Sequence, residues 1–514
     1  MLAKVTTATI AGLTAEAVTT EVDISHGQTH FTLVGLPDPS VKEAEERVRS
    51  AIRNSDFEYP LGRITVNLAP AELKKTGAWY DLPIALAILA ASYQIPAEST
   101  EGLLVLGELS LDGDIKPVNG VLSAALYARD AKLRGLIVPA ENAAEAACIE
   151  GLKVYPVQHL AEAASFLKGN LEIAPQPVTP LSKLLARSSY SVDFSEVRGQ
   201  EAAKRALEVA AAGMHNVLLM GPPGSGKTMM SQRMPTILPD LSEQEAIEVS
   251  TIYSIAGQLP AGKSLVTTRP FRHPHHTISA AGLAGGGTTP GPGEISLAHT
   301  GVLFLDETLE FTQKTLELLR QPLEDGEITI SRARSAVTFP SRFLLLAATN
   351  PCPCGYLGDP LKPCRCTIGD INKYRKRLSG PLLDRIDIVI EVPRVGVEKL
   401  RKDAPVGEDS ATIRERVMKA WRAQQERYRK RRKVHFNSHL QGKDIDKLCA
   451  LDEASENLLS RAVDRLGLTT RGYQSIRKVA RTIADLDASE SIKVSHLAEA
   501  IQYRAGEERL RYMG

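Results

Sequence analysis

The chain has almost no excess charge: 62 lysines and arginines face 61 aspartates and glutamates, a net of +1. Bulk attraction to polyanions is therefore excluded, and any grip on nucleic acid has to come from local basic patches. Long apolar runs are missing too. The longest, DLPIALAILAA, carries Asp81 and Pro83 and is far too short to cross a bilayer, so no membrane partner is expected. The opening MLAKVTTATIAGLTAEAV has no apolar core of a secretory signal, which makes a cytoplasmic location the expectation. Cysteines are few, six in 514 residues and unevenly spread, which argues against a disulfide framework. Internal repeats and low-complexity tracts are also absent, which excludes repeat arrays.

What is present is an ordinary globular composition, 43% hydrophobic and 24% charged, in a chain too long for one core. Residues 1–168 alternate β-like runs (GRITVNLAP, LLVLGELSL, GLIVPA) with helical ones (SVKEAEERVRSAIRNS, NGVLSAALYARDAKL), the pattern of an α/β domain. A Pro-rich stretch without periodicity, 169–189, reads as a linker. A second α/β segment covers 190–395. The remainder, 396–514, is rich in helix formers and from about 410 reads as all-helical.

The second segment holds the strongest motif. VLLMGPPGSGKTMM is an apolar strand followed by G-x-x-x-x-G-K-T, comprising Gly221, Pro222, Pro223, Gly224, Ser225, Gly226, Lys227 and Thr228. Glycines let backbone N–H groups curl around phosphates, and the following helix points its positive dipole end at them. Lys227 is expected to reach the β- and γ-phosphates of ATP, with Thr228 on Mg²⁺. GVLFLDE supplies a buried parallel strand ending at Asp306, for the Mg²⁺ shell, and Glu307, to polarise the attacking water. The next strand, RFLLLAATN, ends in Asn350, either a turn residue before Pro351 or a contact to the γ-phosphate and the water. In SGPLLDRIDIVIEV, Arg385 is either an ion-pair partner of Asp384 or Asp387, or a finger reaching a neighbouring subunit's phosphate. Arg471, in LGLTTRGYQSIRKVARTIADL, lies near a helix start where it too could face a phosphate.

In this order these motifs resemble the AAA+ ATPases, in the branch of magnesium chelatase and the MCM helicases. GLPDPSVKEAEERVRSAI, RPFRHPHHTIS, PGEISLAHTGVLFLDE and NPCPCGY resemble more closely the ComM/YifB family, along essentially the whole chain. The resemblance implies a sensor 1 role for Asn350, an arginine finger at Arg385 and a sensor 2 arginine at Arg471. It implies further a homo-hexameric, ATP-driven motor on single-stranded or branched DNA, promoting branch migration during natural transformation. A chelatase-type or other protein-remodelling ATPase is the alternative. One departure stands out: after Asp306-Glu307 the family usually has Leu-Pro-Glu-Phe, and here Thr308-Leu309-Glu310-Phe311 follows. The front domain is similar to the Lon protease domain, most visibly in GELSLDGDIKPVNGVLSAALYARDAKLRGLIVPAEN. Asp81 stands where the serine nucleophile should be, and GVLSAAL contains no lysine, so a dyad for proteolysis is missing.

Three stretches suggest contacts. RPFRHPHHTISAAGLAGGGTTPGPGEIS is too rich in Gly and Pro for much regular structure and reads as a projecting loop, with His273, His275 and His276 making polar contacts in preference to binding metal. GEITISRARSAVTFP reads as a hairpin with Arg332 and Arg334 near its tip, suited to a phosphate backbone. RERVMKAWRAQQERYRKRRKVHF has ten Lys/Arg against two Glu with Trp421 and Tyr428 interleaved, either a nucleic-acid contact or a solvated helix. Finally, NPCPCGYLGDPLKPCRC clusters Cys352, Cys354, Cys364 and Cys366. Two thiolate pairs offer a tetrahedral structural Zn²⁺ site, with a reversible disulfide or plain packing as the alternatives.

Overall fold

The computed structural model describes residues 2–186, 190–260, 263–287, 290–332, 335–396, 398, 407–431 and 434–511. The front part is built on a seven-stranded sheet in the order His30–Val34, Arg63–Ala69, Thr14–Ser25, Leu2–Ala11, Leu103–Val105, Gly135–Pro139, Val154–Val157. Its middle is a long antiparallel hairpin, Leu2 opposite Asp23 through Ala11 opposite Thr14, with Arg63–Ala69 antiparallel beside it, and the pairings towards both edges are parallel. The helix Asp81–Ala91 is apolar all round, and all of its residues are buried, as a helix without a polar face has to be. Of the stretch between the first two α/β segments, Leu181–Leu185 forms a short helix. Its Leu181 and Leu184 rest against the front core, so this part of the expected linker is docked.

The second segment carries a five-stranded, wholly parallel sheet in the order Phe271–Arg272, Val302–Leu305, Leu344–Thr349, Val217–Met220, Ile388–Glu391. Its three central strands are buried at every residue, as the unbroken apolar runs VLFL, LLLAAT and VLLM require. The Gly/Pro-rich stretch after Arg269 differs from a simple projecting loop. Phe271–Arg272 is drawn into the sheet edge, and Ala280–Ala284 and Glu294–Leu297 form short helices. The hairpin is present, Glu327–Arg332 against Ser335–Pro340, rooted by buried Ile328 and Phe339.

The C-terminal helices Ser410–Tyr428, Lys443–Leu448, Glu453–Leu466, Thr470–Leu486 and Val494–Arg511 share one apolar core with the sheet's flanking helix Glu201–Gly213. Trp421 and Tyr428 belong to that core, and the Trp421 indole N–H donates to the Ala211 carbonyl at 3.0 Å. The two aromatics are thus unavailable for stacking on bases. Several cations of the same helix are also engaged: Arg414 with Asp240, Arg416 with Glu208 and Glu408, Arg427 with Asp485. The solvated-helix reading fits this stretch better than a nucleic-acid contact. Among the described residues, no helix is long and apolar enough to cross a membrane.

Candidate ATP site and four-cysteine knuckle

The turn after Val217–Met220 follows directly from its glycines. Gly224 and Gly226 have φ of +76° and +92°, a region that side-chain-bearing residues avoid, and the helix Lys227–Ile237 begins at once. At Gly221 a Cβ would fall 2.1 Å from the Val392 carbonyl oxygen, so no other residue fits there. The cleft above, about 420 Å³, is lined by Pro223 to Met229, Asp306, Glu307, Thr349 and Asn350. Three strand ends and one helix N-terminus therefore bring together the residues singled out from the sequence for phosphate, Mg²⁺ and water.

Within the cleft the Thr228 hydroxyl donates to Asp306 Oδ2 at 2.6 Å, which puts two hard oxygen ligands side by side. The Lys227 ammonium donates to the carbonyls of Gly221 (2.6 Å) and Pro222 (3.0 Å) and to Asn350 Oδ1 (3.3 Å). Burial pushes its pKa down to about 8, against the attraction of Asp306 and Glu307. The Ser225 hydroxyl is buried without a hydrogen-bond partner. An ammonium held only by two carbonyls and an amide oxygen, an orphan hydroxyl and the N–H groups of Gly224 and Gly226 are the donor set that a polyphosphate fits, and the Thr228–Asp306 pair suits its Mg²⁺. Glu307 has a left-handed backbone (φ +47°), with its N–H donating to Asp306 Oδ1 at 2.9 Å and its side chain about half exposed. Leu309 stands where the family usually has proline, and the strand exit is shaped by Thr308. Its buried hydroxyl donates to both the Leu305 and Ala348 carbonyls, tying two strands together.

Arg385 and Arg471 lie elsewhere. Neither lines this cleft, and both reach the same carboxylate, Glu324, with Arg471 Nη2 at 3.1 Å. Of the two alternatives for Arg385, the ion pair with Asp384 or Asp387 gives way to one with Glu324. Asp384 accepts from the Thr469 hydroxyl, and Asp387 is buried against His215 and Ser475. Glu324 was not singled out from PLEDGE because nothing local distinguishes it; only the fold brings helix Arg320–Asp325 to both arginines. Arg332 closes the hairpin opposite Ser335, while its side chain and the whole of Arg334 lie outside the described residues.

The cysteine loop adjoins this cleft. Cys352, Cys354 and Cys364 place their Sγ atoms 3.4–3.6 Å apart, and all four sulfurs lie within 4.8 Å of one another. A tetrahedron with Zn–S bonds of about 2.3 Å has edges of about 3.8 Å, whereas a disulfide needs about 2.05 Å, so the spacing of the four free thiols fits a metal better than it fits cystines. Backbone N–H groups of Cys354 and Cys366 point at Cys366 Sγ and Cys364 Sγ (3.4 and 3.5 Å), as they do around metal-bound thiolates. Asp359 organises the far turn by accepting from the N–H of Leu361 and Lys362 and pairing with Arg394. Gly355 lies so close to the phosphate loop that a Cβ would sit 2.7 Å from Pro223 Cδ. Of the histidines, His273 stacks on Phe304, His275 bonds Thr277, and His276 lies beside Glu307. In the front part Asp81 is fully buried, clamped by Arg47 at 2.6 and 3.0 Å and accepting from the Leu109 N–H, a structural ion pair.

Three family models match in succession: subunit ChlI of magnesium chelatase over 20–142, the magnesium chelatase ChlI subunit over 193–400, and its C-terminal region over 407–504. The chain is 46% identical to the competence protein ComM of Haemophilus influenzae over 501 residues, 96% of both chains. It is 45% identical to the YifB protein of Salmonella typhimurium over 505 residues, 98% of this chain and 97% of that one. A shorter likeness, 27% over 159 residues, links it to the Lon protease of Brevibacillus choshinensis, covering 29% of this chain and 20% of the protease.

Proposed function

We propose that this chain, which belongs to the ComM/YifB family of magnesium-chelatase-like AAA+ ATPases, is an ATP-driven hexameric motor that moves branched or single-stranded DNA. The observation that carries the reading is the convergence of Lys227, Thr228, Asp306, Glu307 and Asn350 on one cleft. In it the backbone N–H groups of Gly224, Gly226, Lys227 and Thr228 and the Lys227 ammonium would hold the phosphates, while Thr228 and Asp306 would hold Mg²⁺, which would supply charge neutralisation there. Glu307 orients the attacking water, and Asn350, through its contact with Lys227, reports the state of the γ-phosphate. The joint placement of Arg385 and Arg471 on Glu324, away from the cleft, suits arginines that serve a neighbouring subunit's nucleotide, so the ring completes each site.

The hairpin of Glu327–Arg332 and Ser335–Pro340 lines the pore, and Arg332 and Arg334, which the sequence puts near its tip, meet the phosphate backbone. Cys352, Cys354, Cys364 and Cys366 would hold Zn²⁺, and the metal would staple the loop that buttresses Pro223 and Asn350. The relative from Haemophilus influenzae carries the name competence protein, which extends the reading to integration of donor DNA during transformation. Matches to chelatase subunit models favour a second reading, a chelatase-type machine whose hairpin meets protein. ATP turnover with and without forked DNA discriminates: severalfold stimulation by DNA is expected. Stimulation only by a protein partner would favour the second reading.

A further inference from the structure

We infer that His276 is a positioning residue for Glu307, through which the Gly/Pro-rich insert controls ATP hydrolysis. The inference rests on the ATP-site reading above. Its starting point is how little of Glu307 is free to move. The backbone is fixed in the left-handed region, its N–H is tied to Asp306 Oδ1 at 2.9 Å, and its carbonyl accepts from the Glu310 N–H at 2.7 Å. Only the side chain can swing, and the imidazole that approaches it is His276, with Nδ1 3.8 Å from Oε2. That separation is too long for a hydrogen bond, and a shift of less than an ångström would make one. The contact is therefore poised, able to be made or lost by a small displacement of the insert.

The imidazole itself is held. It meets Phe311 edge-on, with ring centroids 6.4 Å apart at 75°, and lies against the His275 ring at 4.1 Å. Phe311 is buried and follows Glu307 by one short turn, so ring and carboxylate share a platform. On one side the insert is anchored by Phe271–Arg272, paired with Val302 and Leu303 of the strand that ends at Asp306. On the other, Ile278 and Leu283 pack in one apolar cluster with Ile328, Ile330 and Phe339 of the hairpin. Close packing transmits displacement, so a load on the hairpin reaches the segment that carries His276 through Ile278. Engagement of the polymer thereby sets whether Glu307 is aligned on its water.

Steady-state hydrolysis and fluorescent-nucleotide binding by full-length His276→Ala, His276→Gln, Lys227→Ala and Glu307→Gln proteins test this, each with and without forked DNA. In His276→Ala, kcat should fall about tenfold while KM and nucleotide affinity stay within twofold of wild type. The stimulation by DNA should collapse towards one. His276→Gln, which keeps a donor, should recover at least half of kcat, a rescue that a merely structural role would not give. Unchanged kcat and unchanged stimulation in His276→Ala, with Lys227→Ala and Glu307→Gln inactive, would overturn this assignment alone. Full hydrolysis by the Lys227 and Glu307 variants would overturn the ATP-site reading and this inference with it. Loss of nucleotide affinity and of thermal stability in both His276 variants would reduce the residue to a packing role and overturn the assignment as well.

Discussion

At the scale of single residues the site separates binding from chemistry. Lys227 is the buried cation that a polyphosphate would satisfy, and charge-assisted hydrogen bonds of that kind contribute about 3 kcal/mol. Lys227→Ala should therefore weaken ATP binding roughly a hundredfold, as read by isothermal titration calorimetry. Glu307 has no such role. Glu307→Gln should bind ATP normally yet hydrolyse it roughly 10²- to 10⁴-fold more slowly, the range for loss of a general base. Equal ATP affinity in Lys227→Ala and wild type would sink the first assignment, and undiminished turnover in Glu307→Gln the second. Arg385 poses a different test, because its place on Glu324 leaves it outside its own cleft. Arg385→Ala should assemble but hydrolyse poorly, and mixing it with Lys227→Ala should restore part of the activity at interfaces that pair an intact loop with an intact arginine. Lys227 and Glu307 were legible in the sequence because one follows a glycine and the other ends an apolar strand, whereas the role of Arg385 came from the family resemblance. Glu324 and His276 were not, since their roles depend on contacts between segments remote in sequence.

Elements show where pattern reading succeeds and where it misleads. VLFL, LLLAAT and VLLM read as buried parallel strands, and they are. The basic helix Ser410–Tyr428 misled because interleaved aromatics look alike whether they face bases or a core; here Trp421 and Tyr428 face the core. The insert misled because Gly and Pro density conceals a two-residue edge strand that only its partner, Val302–Leu305, stabilises. The knuckle 352–366 makes a prediction of its own. If four thiolates close one tetrahedral site, purified protein should carry about one Zn²⁺ per chain by mass spectrometry of the metal. Single Cys→Ser changes at Cys352 or Cys364 should lower that content and slow hydrolysis, because Gly355 abuts Pro223, while the global melting temperature should move little. Metal content near zero, with four thiols titrating freely, would contradict the assignment.

For the whole molecule, stability and function rest on how the C-terminal helices seat on the sheet. Asp387, at the last strand, is buried beneath helix Thr470–Leu486, where it accepts from the Ser475 hydroxyl at 2.5 Å and meets His215 Nδ1 at 3.0 Å. Burial alone would raise its pKa; the Lys478 charge and the His215 and Ser475 contacts overcome this and hold it below the ordinary carboxylate range. A depressed folded-state pKa gives stability that is fully present above the unfolded value of about 3.9 and is lost as pH falls through the folded one. Asp387→Asn should cost about 3 kcal/mol at pH 7 by denaturant unfolding, and should remove part of the acid sensitivity below pH 4 that wild type shows. An unchanged midpoint at pH 7 would show that the seat lies elsewhere. The central claim, that one ATP cleft per chain drives DNA, is tested most directly by strand displacement. Wild-type protein with ATP and Mg²⁺ should displace the labelled strand from forked and three-stranded DNA, and Glu307→Gln should bind the same DNA without displacing it. Normal ATP hydrolysis by wild type, with no displacement on either substrate, would contradict the account.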